Sequence, residues 1–299
     1  LTTVDKRRYL QPEMVARLDN MALRARLVVE GYLIGLHKSP YHGFSVEFAE
    51  HRAYGPGDEI RHLDWKLYGK TDRYYIKQYE EETNLRSYIL LDISKSMTFS
   101  SQAVSKLDYG SYLTAALTYL MLNQRDAVSL TIFDEKTRGH VPPRSTQGHL
   151  NSVLARLEQI KPGNDTRIAP TLHELADKIK KRGLVILISD LLDDPEEVLS
   201  GLKHFRHRKH EVIVFHLTDS RETDLDFSLR TRFRDLETGE EITTEPWQIR
   251  TAYKRVVEKF QSTYRREMRK RNIDYVPIQT DQALDLALTH YLTKRRAIA

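Results

Sequence analysis

The chain has 299 residues, long enough for one large α/β domain with an appendage or for two small domains. With 40% apolar and 30% charged residues it reads as a folded globular protein, and the absence of cysteine excludes a disulfide scaffold and any thiolate metal site. The net charge of +5 raises nucleic acid or anionic lipid as partners, but Lys and Arg are mixed with nearly as many Asp and Glu. The densest basic runs, 265–271 and 294–296, fall in helix-like segments and read as solvated faces.

Residues 1–85 form the first zone. Apolar residues at Met14, Leu18, Met21, Leu27 and Val28 predict a helix over Pro12–Val29, with Pro12 in its first turn. A turn-rich stretch from Gly31 to Asp72 follows, marked by Ser39-Pro40 and Gly55-Pro56-Gly57, and then a strand over Tyr74–Tyr79. The longest apolar stretches, 27–36 and 183–192, reach about half a bilayer span, and each is interrupted by a charge. No signal-peptide pattern opens the sequence. Together with the missing cysteines, this leads us to expect a cytoplasmic protein without a transmembrane segment, reaching any membrane through its partners.

The second zone, about 86–219, alternates strands and helices. Strands are expected at Tyr88–Leu91, Val128–Phe133 (with a hairpin partner ending near Val141), Leu184–Ile188 and Val212–Leu217. Helix faces are marked by Leu107, Leu113, Leu117, Leu120 and Met121, by Leu150, Leu154 and Leu157, and by Ile168, Leu172, Leu175 and Ile179. The third zone holds a hairpin around Glu237–Glu240, a long helix over Arg250–Arg271, a strand at Tyr275–Ile278 and a helix at Ala283–Leu292. Such alternation implies an α/β fold with a doubly wound, mostly parallel sheet flanked by helices, Rossmann-type in character, with an N-terminal α+β extension packed on it.

Asp92-Ile93-Ser94-Lys95-Ser96 stands where the first core strand ends, and open parallel sheets bind ligands beyond the carboxyl ends of their strands. An Asp and two Ser at alternating positions can turn three oxygens toward one point, a hard donor set suited to Mg²⁺, Mn²⁺ or Ca²⁺. Thr166, directly before a helix, and Asp190, at the end of its own strand, belong on the same rim. The competing explanation makes Ser94 and Ser96 caps and Asp190 a turn residue, and Asp165 competes with Thr166 as ligand or cap.

Asp92-x-Ser94-x-Ser96, then Thr166, then Asp190, on alternating strands and helices, resembles the metal-ion-dependent adhesion site of von Willebrand factor A domains. The resemblance continues through Arg125–Val128 and Thr131–Phe133. It implies a site that grips an acidic residue of a protein partner through the ion and performs no catalysis.

Upstream, Arg52-x-Tyr54-x-x-Gly57-Asp58-x-x-Arg61-x-x-Asp64-Trp65, with His37-x-Ser39 and Gly43, resembles the bacterial domain-of-unknown-function family fifty-eight, which joins this signature to a von Willebrand factor A domain. On that resemblance, residues 1–85 form a family-specific extension, and residues 86–299 a von Willebrand factor A-like domain with C-terminal additions. Arg52, Arg61, Asp58 and Asp64 read either as a paired network anchored by Trp65 or as a partner-docking cluster. The resemblance further implies a MoxR-type AAA+ ATPase as partner, in a chaperone-like or maturation system.

Other patterns carry less. Gly69-Lys70-Thr71 ends like a phosphate-binding loop, but the earlier glycine that loop needs falls on Asp64. His204, His207 and His210, interleaved with Arg206, Arg208 and Lys209, read as a solvated basic face. The tyrosines are dispersed, and several read as half-buried core edges. Two rivals stay open: an Mg²⁺-dependent phosphoryl-transfer enzyme with Asp92 as nucleophile, which has Ser94 where the acid–base carboxylate belongs, and a basic nucleic-acid-binding module.

Overall fold

The structure is a computed structural model that describes residues 11–18, 20–36, 51–53, 68–69, 74–77, 85–163, 167–236 and 239–298. The chain forms two compact units, one of residues 1–35 with 85–299 and one of residues 36–84.

In chain order the elements begin with α1 (Pro12–Ala16) and α2 (Met21–Leu36). The sequence predicts one helix here. The chain instead breaks between them, because the Arg24 guanidinium donates to the Ala16 and Leu18 carbonyls and the Asn20 side chain accepts the Ala22 N–H to start a second helix. Strands β1 (His51–Ala53) and β2 (Tyr75–Lys77) pair antiparallel in the smaller unit.

The larger unit continues with β3 (Arg86–Asp92), a 3₁₀ turn (Lys95–Thr98), α3 (Lys106–Asn123), β4 (Ala127–Phe133), β5 (Thr137–Arg144), α4 (His149–Glu158) and α5 (Ile168–Lys178). Next come β6 (Leu184–Ser189), α6 (Pro195–His207), β7 (Glu211–Thr218), α7 (Ser220–Asp224), β8 (Thr231–Arg234) and β9 (Glu241–Thr244). Last are α8 (Pro246–Lys270), β10 (Asp274–Gln279) and α9 (Asp285–Ile298). Helix α6 is an addition to the sequence reading: Asp194 accepts the N–H groups of Glu196 and Glu197, and Pro195 opens the first turn. Helix α8 starts four residues earlier than expected, again with a proline, Pro246, in its first turn.

The central sheet runs β10-β7-β6-β3-β4-β5, parallel except for the edge strand β5. Its apolar strands alternate between two covered faces. Tyr88, Leu90, Val185, Leu187, Val212 and Val214 pack with α5, α6 and the Tyr264–Met268 segment of α8. On the other face Leu91, Ile188 and Leu217 meet α3 at Gly110, where a Cβ would lie 3.0–3.4 Å from their side chains. Helices α2 and α9 belong to this second face: the Arg24 guanidinium lies over the Tyr112 ring at 4.9 Å, and the Tyr32 hydroxyl bonds Thr289. The fold is thus the doubly wound, mostly parallel sheet expected from the sequence, with β3 in its middle.

One sequence expectation is corrected inside this core. His210 is buried, not part of a solvated face, because α6 ends at His207 and the turn carries His210 back against Tyr88 and Phe205. Tyr109, Tyr264 and Tyr291 lie fully buried.

Candidate metal site

Strands β3 and β6 are neighbours, and both end at the same rim of the sheet, one at Asp92 and the other at Ser189 followed by Asp190. Asp92 has no exposed surface. One carboxylate oxygen accepts the Ser94 N–H at 2.8 Å, and the other accepts the Ser189 hydroxyl at 2.6 Å. Burial, reinforced by the nearby charge of Asp190, raises the Asp92 carboxyl to about 7 against the opposing pull of these hydrogen bonds.

Ser94 and Ser96 are buried, and their hydroxyl oxygens lie 3.1 Å apart. Ser94 occupies the cap position of the 3₁₀ turn but makes no side-chain cap bond, so its hydroxyl is turned to Ser96 and Asp92. That separation is close to the edge of an octahedral shell, roughly 2.9 Å for Mg–O bonds near 2.05 Å. One carboxylate and two hydroxyls therefore converge as the Asp-x-Ser-x-Ser spacing leads one to expect, and the set fits a hard divalent ion. No cluster of three or more His, Asp or Glu suited to a metal occurs among the described residues.

Asp190 is also buried, but its partner was not foreseen. The ammonium of Lys106, from the first turn of α3, lies 2.9 Å from Asp190 and 2.7 Å from Glu222 of α7. Burial opposes the charge on Lys106, yet the two carboxylates outweigh it and hold its pKa above the ordinary lysine value. Leu191, directly after Asp190, adopts φ 54°, a left-handed conformation that costs a leucine about 1–2 kcal/mol and fixes the turn bearing Asp190. Behind it, burial lowers His216 to about 4, and the neutral ring pairs with the Tyr275 hydroxyl at 2.6 Å.

Thr166 and Asp165 lie outside the described residues. The chain on either side is tied to this rim: the Gly163 N–H donates to the Ile93 carbonyl at 2.7 Å, and the Ile168 N–H at the start of α5 donates to Asp193. Of the upstream signature, Arg52 lies in β1 opposite Ile76. Tyr54, Gly57, Asp58, Arg61, Asp64 and Trp65 fall outside the described residues, as do His37, Ser39 and Gly43.

Sequence reasoning missed Ser189, Lys106 and Glu222. The dipeptide Ser189-Asp190 at a strand end offered a signal for the first. A lysine directly after the N-cap Ser105, on a helix whose first turn is buried, offered a weaker one for the second.

Over 290 residues, spanning 95% of this chain and 90% of each relative, the sequence is 24% identical to an uncharacterized protein of Mycobacterium tuberculosis strain H37Rv and to one of Mycobacterium bovis. Among solved structures, the conserved hypothetical protein BatB from Bacteroides thetaiotaomicron is similar with a TM-score of 0.48 and 18% identity, covering 70% of this chain and 98% of that one. An aerotolerance-related membrane protein from Bacteroides fragilis has the same TM-score with 19% identity, covering 70% and 99%. Residues 50–263 match the family described as protein of unknown function DUF58, and the chain belongs to that family.

Proposed function

We propose that the chain is a non-catalytic protein-binding module of the von Willebrand factor A type that works through a divalent metal. In this reading Asp92, Ser94 and Ser96 are the primary ligands of Mg²⁺, with Mn²⁺ and Ca²⁺ as chemical equivalents, and Thr166 and Asp190 complete the surroundings directly or through water. The observation that carries it is the buried Asp92 carboxylate, aimed by Ser189 and the Ser94 N–H, beside two hydroxyls spaced as neighbouring vertices of a coordination shell. A bound ion supplies an open position that a partner's carboxylate completes.

The chain's own residues do the remaining work. Ser189 and the Ser94 backbone orient Asp92, and the strained turn at Leu191 holds Asp190 at the rim. The phosphoryl-transfer alternative is less well served, since position 94 is a serine where the acid–base carboxylate belongs. The family resemblance leads us to a MoxR-type AAA+ ATPase as the partner, in assembly or maturation of protein complexes. No helix among the described residues is long and apolar enough to cross a membrane. Within this reading the protein works in the cytoplasm and meets any membrane through its partners.

The test is capture of a purified MoxR-type ATPase by the immobilised chain. Retention in Mg²⁺ that is lost in EDTA and lost with Asp92→Ala supports the reading. Retention indifferent to both refutes metal-dependent binding.

A further inference from the structure

Lys106 stands where a lysine is least expected. Its side chain has no exposed surface, and lysines are almost never fully buried unless paired. It also occupies the first position of α3, where the positive end of the helix dipole disfavours a cation. What holds the ammonium there is a pair of carboxylates from two distant parts of the chain, Asp190 and Glu222, at 2.9 and 2.7 Å. Asp190 in turn directly follows Ser189, whose hydroxyl donates to Asp92 at 2.6 Å.

Two carboxylates, Asp190 and Glu222, therefore share one ammonium, and Asp92 and Asp219 are buried on the same rim. Resting on the metal-binding reading above, we propose that Lys106 is a built-in counter-cation that sets the charge of the metal site, and with it the site's affinity for its ion. Without Lys106 the same rim carries one more net negative charge and grips a divalent ion more tightly. Without Glu222 it carries one fewer and grips more weakly. A site tempered in this way binds its ion loosely enough for an acidic partner to contribute to the retention of the ion.

This makes opposite predictions for two changes on either side of one salt bridge. Mn²⁺ is titrated calorimetrically into the full metal-stripped chain and three variants, Lys106→Met, Glu222→Gln and the two combined, with circular dichroism as the check on folding. Relative to wild type, Lys106→Met should bind Mn²⁺ roughly tenfold more tightly or better and Glu222→Gln roughly tenfold more weakly, while the double variant, with its net charge restored, should return to within about threefold. The double variant also guards against the single lysine change leaving unpaired buried carboxylates and failing to fold. A purely structural role for Lys106 would weaken binding in both single variants and not restore it in the double, and that pattern overturns the inference. Wild type that binds while all three variants match it also overturns it. If wild type and every variant fail to bind Mn²⁺ at millimolar concentration, the metal-site reading itself falls.

Discussion

The Ser189 hydroxyl donates to Asp92 at 2.6 Å across the gap between β6 and β3, two strands whose ends are separated by about a hundred residues of chain but paired in register up to Leu91 and Ile188. The same hydroxyl accepts the Leu191 N–H at 3.0 Å, so one serine fixes both the carboxylate and the turn that carries Asp190. Ser189→Ala should leave the fold intact at a cost of about 1–2 kcal/mol and weaken Mn²⁺ binding several-fold. Thermal unfolding and calorimetric titration of the variant check the two effects separately. Unchanged affinity would remove Ser189 from the site.

The raised Asp92 carboxyl gives the metal-free protein a pH signature. The folded group titrates near 7 and its unfolded counterpart near 3.8, so between these values the native state holds a proton that the unfolded state has released. Stability from this group is therefore lost as pH rises through the window. Buried His216, lowered to about 4, acts in the opposite sense and loses its contribution as pH falls from about 6.5. Comparison with Asp92→Asn isolates the first effect: in EDTA, the melting temperature of the variant minus that of wild type should increase from pH 5 to pH 8. A difference that does not change with pH contradicts the assignment.

Gly163 sits where a Cβ would approach the Asp134 side chain to 2.3 Å, and its N–H holds the loop to Ile93 beside the site. Gly163→Ala should push the loop off this anchor and lower Mn²⁺ affinity, with a stability loss of about 1–3 kcal/mol from overpacking. Calorimetry and chemical denaturation of that variant provide the readouts. Wild-type affinity in a destabilised variant would show that the loop does not shape the site.

The fold was legible where one residue type repeats along one element. The apolar runs at Tyr88–Leu91 and Leu184–Ile188 marked strands covered on both faces, and the sheet has them adjacent at its centre. The convergence of Asp92, Ser94 and Ser96 was legible because local spacing alone brings their oxygens together. What the sequence hid depends on distant partners. Lys106 meets Asp190 and Glu222 across 84 and 116 residues, and only the folded sheet brings them together. The break between α1 and α2 was hidden for a related reason: helical spacing continues through it, while Arg24 reaches back to take the carbonyls that end α1.

One contact far from the site tests the architecture independently. Asp126, fully buried before β4, accepts from Arg295 at 2.9 Å and from the Tyr291 hydroxyl at 3.3 Å, tying α9 to the sheet. Arg295→Ala leaves that carboxylate without its cation and should cost about 2–4 kcal/mol in chemical denaturation, while Asp126→Asn added to it should recover part of the loss. Mn²⁺ affinity should stay unchanged in both. A loss of affinity would mean that α9 is coupled to the metal site.

The most direct test of the central claim is calorimetric titration of Mg²⁺ and Mn²⁺ into the metal-stripped chain beside its Asp92→Ala variant. The account predicts one ion bound per wild-type chain and none by a variant that keeps its secondary structure. Equal binding by both, or no binding by the wild type, would contradict a metal site built on Asp92.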